Sequence, residues 1–349
     1  MRLRSTRLTH VIQLLMTSFP MAIIPVSAAC GGDCPVYTHT AGGAVQTSAL
    51  VEASGVAASR RTPGYFFTHN DNTNDQRVFA ITAGGALRAT YTIQNATNVR
   101  DPEDIAVGPG PTPGETYLYL ADTGDNNNVR TDIAVYRALE PSVPASGAPI
   151  SETLPADKIL LAFPDGPRDA ETMFVDTNGD IYLVVKRLTP GKVYRAPFPQ
   201  STTQVNMLEH VGQLQWGNTQ PTGGDMAADG SAIIIRGYFR MDYWERPAGA
   251  TVGDVLSATG CPAIWAIEPQ GEAVCFVNEV RDYATISEGD NPIVHLFYRQ
   301  PPPPTIGAFV TALLHTPDDP DAILAFDYNE DDDLNGRDIR GFIDALLDN

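Results

Sequence analysis

Short runs of β-branched and aromatic residues, separated by turn formers, recur along most of the chain and restrict its fold more than any other feature. The clearest runs, each bounded by Gly, Pro, Asn or Asp, are residues 64–68, 116–120, 180–185, 232–235 and 293–297. Such runs predict strands, and the pairs Asn178-Gly179 and Asp229-Gly230 predict tight hairpins between them. Because no long helical period occurs before residue 304, the body is expected to be mainly β.

An acidic residue stands just ahead of a small-residue or apolar run in five places, which indicates a repeated unit. The acids are Glu52, Glu103 with Asp104, Glu171, Asp225 and Glu272, at spacings of roughly 47 to 68 residues. This spacing is typical of a four-stranded propeller blade with loops of variable length. The sequence therefore predicts a five-bladed β-propeller over residues 36–299. A six-bladed ring is the alternative count, and a β-sandwich is an alternative architecture that leaves the repeat unexplained.

The last repeat ends at Arg299, one strand short of a complete blade. Residues 44–50, which precede the first repeat, form a suitable strand. If they pair with the last blade, the ring closes and neither sheet edge stays open. We therefore predict that the N-terminal segment closes the propeller.

The N-terminus has the three-part pattern of a secretory signal peptide. Arg2, Arg4 and Arg7 precede an apolar stretch at 11–26, which ends in small residues. Residues 1–29 are predicted to be removed, leaving a protein with no integral membrane span that is secreted, periplasmic or on the cell surface. A membrane anchor is disfavoured because prolines interrupt the short segment. Cys30, next to the cleavage site, keeps a lipoprotein open as an alternative.

The net charge limits the possible binding partners, and the positions of the cysteines suggest which of them form disulfides. The net charge of −19 would repel a nucleic-acid backbone, so cations are the expected partners and nucleic acid is not. The four cysteines fall into two close pairs in a chain destined for an oxidising compartment. They predict two local disulfides, Cys30–Cys34 and Cys261–Cys275.

A proline-rich spacer at 300–304 marks a domain boundary, beyond which the apolar period becomes helical and predicts a small module at 305–349. The module contains a twelve-residue acidic loop that begins at Asp327 and ends at Asp338. Calcium needs six to eight oxygen ligands, which one curled loop of this kind can supply. The predicted ligands are Asp327, Asn329, Asp331, Asp333, Asn335 and Asp338. A solvated acidic turn is the alternative interpretation.

This loop and the helix after it resemble a dockerin-type calcium repeat, with the pattern D-x-N-x-D-G-x-x-N-x-x-D. Asp332 replaces the usual Gly at the sharp turn, a position where Asp tolerates a left-handed backbone better than most residues. The helix motif at 342–347 also recurs at 309–314, but that first copy lacks a loop. The resemblance implies a cohesin-like or cell-surface partner for the module.

The predicted propeller would gather the acids that lead the blades at one mouth of its channel. The loops between second and third strands would add Lys186 and Arg236, which could hold an anionic group. Crowded carboxylates either take up protons or capture a cation, and we expect Ca²⁺. The alternative is that these acids only cap turns.

The motifs that begin at Glu52, Arg100 and Ala121 are similar to those of exported phytase-like and esterase-like-phytase propellers. The resemblance covers roughly residues 44 to 299 and implies calcium binding, with phosphate-ester cleavage in some members. The leading hypothesis is an exported calcium-binding propeller whose acidic mouth binds a ligand, with a tail for attachment or stabilisation. A metal-dependent phosphoesterase using the same mouth and a passive cell-surface scaffold are the alternatives.

Overall fold

The fold is described from a computed structural model that covers residues 34–186, 190–216, 220–300 and 306–347. The predicted signal peptide, Cys30 and residues 301–304 of the spacer lie outside these ranges. Within them, no helix has the length and apolar character needed to cross a lipid bilayer.

Twenty-two strands and one short helix make up the body. In chain order they are β1 (Tyr37–Ala44), β2 (Ala53–Ala58), β3 (Tyr65–Asn70), β4 (Arg77–Thr82), β5 (Leu87–Ile93), β6 (Pro102–Pro109), β7 (Thr116–Asp122), β8 (Ile133–Leu139), β9 (Ile150–Leu154), β10 (Ala156–Ala162), β11 (Ala170–Val175), β12 (Ile181–Val185), β13 (Lys192–Ala196), β14 (Asn206–Met207), β15 (Glu209–Gln213), β16 (Pro221–Met226), β17 (Ala232–Gly237), β18 (Arg240–Glu245), α1 (Val252–Leu256), β19 (Cys261–Pro262), β20 (Gly271–Phe276), β21 (Tyr283–Ser287) and β22 (Ile293–Arg299).

These strands form five sheets, each of which is one propeller blade. In order from the innermost strand, blade 1 is β2-β3-β4-β5-β9, blade 2 is β6-β7-β8-β10-β14, blade 3 is β11-β12-β13-β15, blade 4 is β16-β17-β18-β19 and blade 5 is β20-β21-β22-β1. Each innermost strand contacts the innermost strands of both neighbours, so the sheets form a closed ring. The predicted five-bladed propeller is confirmed, and the six-bladed alternative is wrong.

Small residues allow the innermost strands to approach one another around the axis. Strand β2 reads Ala-Ser-Gly-Val-Ala-Ala, and five of its six residues are buried. A Cβ atom at Gly223 of β16 would lie only 2.3 Å from the carbonyl oxygen of Glu272 in β20. Only glycine fits where two backbones come this close.

The hydrophobic core lies between the blades. Five clusters of buried side chains each bridge two adjacent sheets; the cluster between blades 1 and 2, for example, contains Phe67, Tyr91, Leu120 and Tyr136. Because a single blade cannot bury both of its faces, each sheet depends on its neighbours for stability.

The N-terminal segment closes the ring, as predicted, but the strand that does so was placed wrongly. The outermost strand of blade 5 is β1, with Thr38 opposite Tyr298 in antiparallel β22. The strand covers Tyr37–Ala44 and not residues 44–50. The apolar side chains Val45 and Leu50 that suggested the later segment are buried between blades 5 and 1 instead.

The predicted disulfides are wrong, because Cys34 is bonded to Cys261 and Cys275 is a free, buried thiol. Cys261 lies in the outermost strand of blade 4, whereas Cys275 lies in the innermost strand of blade 5. The two are close in sequence only because the chain crosses from the rim of one blade to the axis of the next. Burial raises the pKa of the Cys275 thiol well above its usual value, which keeps it protonated and unreactive.

The tail contains three helices, α2 (Ile306–His315), α3 (Pro320–Phe326) and α4 (Ile339–Leu347). Its small core is aromatic: the rings of Phe309 and Phe342 are stacked with centroids 4.2 Å apart, and Phe326 packs against both. Leu334, in the acidic loop, is buried in this core. The loop is therefore anchored from beneath by one apolar side chain.

The disulfide is expected to stabilise the closed ring, because it joins the segment just before the closing strand β1 to the rim of blade 4. Replacing Cys34 or Cys261 by Ala should each lower the free energy of unfolding by about 2–4 kcal/mol. Denaturant titration under oxidising conditions measures this loss. The double variant should lose no more free energy of unfolding than either single variant, because each single substitution already removes the disulfide.

Cys275→Ala is the matched control. Its stability should still fall when a reductant is added, since its disulfide is intact. If reduction destabilised the wild-type protein but not Cys275→Ala, Cys275 rather than Cys34 would be the partner of Cys261.

Candidate metal centre at the channel mouth

Each innermost strand has a β-bulge near its first residues, seen as a register shift against the second strand of its blade. A bulge re-aims the side chain of the extra residue. Aligned on the bulge, the five blades share two positions at the channel entrance. The bulge position holds Ser54, Glu103, Glu171, Thr222 and Glu272, and the position just before each strand holds Glu52, Asp101, Asp169, Gln220 and Gln270.

Four of these residues and one loop residue bring carboxylates together on the side of blades 1 to 3. Oxygen atoms of Asp71, Asp101 and Glu103 lie within 4.8 Å of one another. Oxygen atoms of Glu103, Asp169 and Glu171 form a second such group. Calcium binds oxygen ligands at about 2.3–2.6 Å, so oxygen atoms this close together could contact one ion. Glu103 belongs to both groups.

The loop after β7 holds this cluster in place. Asp122 Oδ1 accepts the backbone N–H groups of Arg100 and Asp101, both at 3.1 Å. The backbone N–H of Asp125 donates to Asp169 Oδ1 at 2.8 Å. Between them, a Cβ atom at Gly124 would lie 2.0 Å from Glu103 Oε1, so only glycine leaves room for that carboxylate. The same loop thus orients three of the acids.

A cation and a phenol complete the mouth on the side of blades 3 to 5. Lys186 Nζ lies 2.5 Å from Glu171 Oε1 and donates to the hydroxyl of Tyr238 at 2.9 Å. Tyr238 in turn donates to Glu272 Oε1 at 3.0 Å. Lys186 therefore neutralises part of the negative charge, and Glu272 is held by hydrogen bonds.

Crowding and burial favour the protonated form of these acids. Burial, followed by the charges of Asp101 and Glu272, raises the pKa of Asp71 to about 7. Burial first and then the neighbouring acids raise the pKa values of Glu103 and Asp101 as well, and the pKa of Glu103 lies well above its usual value. The pKa of Glu171 is also well above its usual value because of burial, despite the lowering effect of Lys186. A bound divalent cation would favour the ionised form of these acids instead.

Three residues predicted for the mouth lie elsewhere. Asp104 is fully buried in the channel wall, where it accepts N–H groups from Ile105 at 2.8 Å, Met173 at 2.8 Å and Gly224 at 3.3 Å. It thereby ties blades 2, 3 and 4 together. Asp225 lies three residues beyond the bulge position, near the other end of the channel.

Arg236 is also buried, and it forms an ion pair with Glu268. A Cβ atom at Gly271 would lie 1.6 Å from its guanidinium, so the side chain is packed tightly against β20. With its charge neutralised by Glu268, Arg236 is poorly suited to hold an anionic ligand at the mouth.

Two acids of the cluster, Asp101 and Asp169, are absent from the predicted mouth, because that prediction rests on a single acid in each blade. The signal that could have found them is a repeated four-residue motif. Arg100-Asp-Pro-Glu103 and Arg168-Asp-Ala-Glu171 have the same charge pattern at the start of β6 and β11. A two-position alignment also explains Glu52, which is the counterpart of Asp101 and not of Glu103.

The predicted calcium loop of the tail is curled around its first and last acids. Asp327 accepts the N–H groups of Asp331 at 3.2 Å and Asp332 at 2.9 Å. Asp338 is buried and accepts the N–H groups of Tyr328, Asn329 and Asn335. Asp332 has a φ of 63°, so it adopts the left-handed backbone predicted for it.

No protein-family model and no curated protein matches the chain. Among solved structures, it is similar to a calcium-binding protein, regucalcin, from Agrobacterium tumefaciens, with 11% identity, a TM-score of 0.41, and coverage of 74% of this chain and 94% of that one. It is also similar to streptogramin B lyase, with 8% identity, a TM-score of 0.39 and coverage of 76% and 98%. A third similar structure is luciferin-regenerating enzyme, with 9% identity, a TM-score of 0.37, and coverage of 76% of this chain and 95% of that one.

Likeness at this level carries no argument about function. The strand pairing and the site define the chain as a five-bladed β-propeller with a carboxylate cluster at one end of its channel.

Replacing Asp71 by Asn should stabilise the metal-free protein in a pH-dependent way. In the unfolded chain an aspartate titrates near pH 4, whereas the pKa of Asp71 is about 7 in the fold. Its favourable contribution is present below pH 4 and is lost as the pH rises to 7, because the fold then holds an unwelcome charge. In the presence of a chelator, the free energy of unfolding of Asp71→Asn should equal that of the wild type near pH 4. Near pH 7.5 it should be larger by about 1–3 kcal/mol.

Urea titrations of both proteins across this pH range measure the difference. Burial lowers the pKa values of His69, which is buried, and His295, which is half-buried, to about 4, but both residues are present in both proteins and their effects cancel. A pH-independent difference would contradict the electrostatic account of the mouth.

Proposed function

We propose that this protein is an exported calcium-binding propeller that binds a ligand at its acidic mouth. The observation that carries the proposal is the two groups of three carboxylates that share Glu103. Within each group, one oxygen atom of every carboxylate lies within 4.8 Å of the others. All of these ligands are hard oxygen donors, which suit calcium or another hard cation and not a soft metal. Glu103, Glu171 and Asp169 are almost completely buried, so a bound ion would compensate charges that water reaches poorly.

The same carboxylates suggest how a ligand would be held. A calcium ion with three protein carboxylates keeps coordination positions free for oxygen atoms of a ligand or for water. The ion would lie at the open end of the channel, and the half-buried Asp71 and Asp101 flank it on the solvent side. The ligand is therefore expected to present oxygen atoms to the metal.

The tail is proposed to be a second, dockerin-like calcium site. The support is the curled loop, the buried Leu334 beneath it and the left-handed Asp332. Asp327, Asn329, Asp331 and Asp333 lie at or near the surface, where they could turn their oxygens to an ion. A cohesin-like or cell-surface partner for this module follows from the resemblance alone.

Export is supported by two features. The N-terminal residues 1–29 have the pattern of a signal peptide, and the Cys34–Cys261 disulfide is of a kind that persists in oxidising compartments. A secreted, periplasmic or surface location agrees with both.

Calorimetric calcium titration should detect two independent sites. Glu103→Gln should abolish the mouth site, or weaken it at least tenfold, which is about 1.4 kcal/mol, and should leave the tail site intact. Asp327→Asn should do the reverse. The physical reason is that each substitution removes one charged oxygen from a different set of ligands.

Two exposed acids outside both sites serve as matched controls. Glu209→Gln, on the rim of blade 3, and Asp344→Asn, on α4, remove the same charge and should leave both calcium affinities unchanged. If the control variants also lost calcium binding, the effect of Glu103→Gln and Asp327→Asn would be explained by the change in net charge alone. If the wild type bound no calcium, the proposal would be refuted.

Lys186 favours a second candidate function, a metal-dependent phosphoesterase that uses the same mouth. Its ammonium lies among the carboxylates, where it could stabilise the charge that develops on a transferred phosphoryl group. With calcium, the protein would then hydrolyse p-nitrophenyl phosphate, and a chelator would abolish the activity. Glu103→Gln should abolish turnover, and Lys186→Ala should lower it by about 10²-fold or more.

Turnover measured by release of p-nitrophenolate separates the possibilities. No activity in the wild type would contradict the esterase and leave calcium binding standing. A passive scaffold would in addition show no dependence of any binding on the mouth residues.

A further inference from the structure

A second cavity lies at the end of the channel opposite the carboxylate cluster. It has a volume of about 300 Å³ and is lined by the last residues of four innermost strands, among them Ala57, Val107, Met226 and Phe276. This volume is at the lower end of the range for small-molecule sites. The wall is mainly apolar, so the cavity suits a small molecule with an apolar part.

Asp104 lies in the channel wall between this cavity and the mouth. Its carboxylate is fully buried and bonded to N–H groups of Met173 in β11 and Gly224 in β16. The residues that line the cavity include none of the acids clustered at the mouth. A ligand at one end need not contact an ion at the other.

Two groups of opposite charge face this cavity without contacting each other. Asp225 accepts the N–H groups of Met226 at 2.8 Å and Phe276 at 2.9 Å, one on each oxygen. A carboxylate offers about four acceptor sites, so two of them remain for a ligand. Arg60, which is half-buried, makes no hydrogen bond or ion pair with any residue in the described part of the chain.

The charge of Asp225 is incompletely compensated. Burial raises its pKa to about 6, and the only charged neighbour that opposes this effect is Arg60, too far away for an ion pair. The third charged residue of the cavity, Glu279, is exposed at its rim. An ammonium group placed beside Asp225 would supply the missing positive charge and up to three donors.

We propose that this cavity binds a small zwitterion of the size of a free amino acid, with its ammonium on Asp225, its carboxylate on Arg60 and an apolar side chain against Ala57, Val107 and Phe276. The guanidinium fork of Arg60 matches a carboxylate in two parallel hydrogen bonds. A ligand with only one of the two charges would leave the other charged group unpaired.

Calorimetric titration of the purified protein with the common free amino acids tests this. At least one with an apolar side chain should bind, and its N-acetyl and carboxamide forms should each bind at least tenfold more weakly, by about 1.4 kcal/mol. Binding should be the same with calcium and with a chelator, because the cavity shares no lining residue with the carboxylate cluster at the mouth. A failure of calcium to bind at the mouth would thus leave this result unaffected.

Variants complete the test. Asp225→Asn and Arg60→Met should each weaken binding at least tenfold. The matched control is Arg61→Met, because Arg61 is bonded to Glu140 and Glu115 and not to the cavity. If Asp225→Asn does not fold, the comparison of Arg60→Met with Arg61→Met decides alone. The proposal is overturned if no free amino acid binds at millimolar concentration, if a capped form binds as tightly as the free one, or if both arginine variants behave alike.

Discussion

Closure of five sheets around one narrow axis is the constraint on which the rest of the structure depends. The innermost strands approach so closely that glycine is required where β16 passes β20. Polar groups in this axis must find partners from other blades, and Asp104 does so by accepting N–H groups from blades 3 and 4 as well as from its own blade 2. The five hydrophobic clusters sit between the blades for the same reason, because each sheet completes the burial of its neighbours.

The same crowding has the opposite effect at the mouth. There, bulges at the start of the innermost strands turn Glu103, Glu171 and Glu272 toward the entrance, and Asp101 and Asp169 stand just before two of those strands. Asp104 accepts three backbone N–H groups, whereas the mouth acids face mostly one another. Chemically similar carboxylates thus serve as a structural tie in the channel wall and as a charged cluster at its end.

The segment at residues 34–44 is joined to the ring in two ways. Strand β1 completes blade 5, and the disulfide from Cys34 fixes the residues before it to the rim of blade 4. Hydrogen bonds and the packing of Tyr37 on Tyr283 hold this outermost strand at the edge of blade 5, and a covalent bond at the neighbouring blade limits its release.

The sequence by itself determined the repeated strands, their turns, the number of blades and the residues of the tail loop, but not the position of the closing strand β1. Those features follow from local patterns, such as the period of apolar residues and the turn-forming pair Asn178-Gly179. Only the tertiary structure decided which acids share a position, which end of the channel Asp225 faces and which cysteine bonds to Cys261. These depend on bulges and on contacts between blades, and a single inserted residue at a bulge moves a side chain from wall to entrance without changing the surrounding pattern.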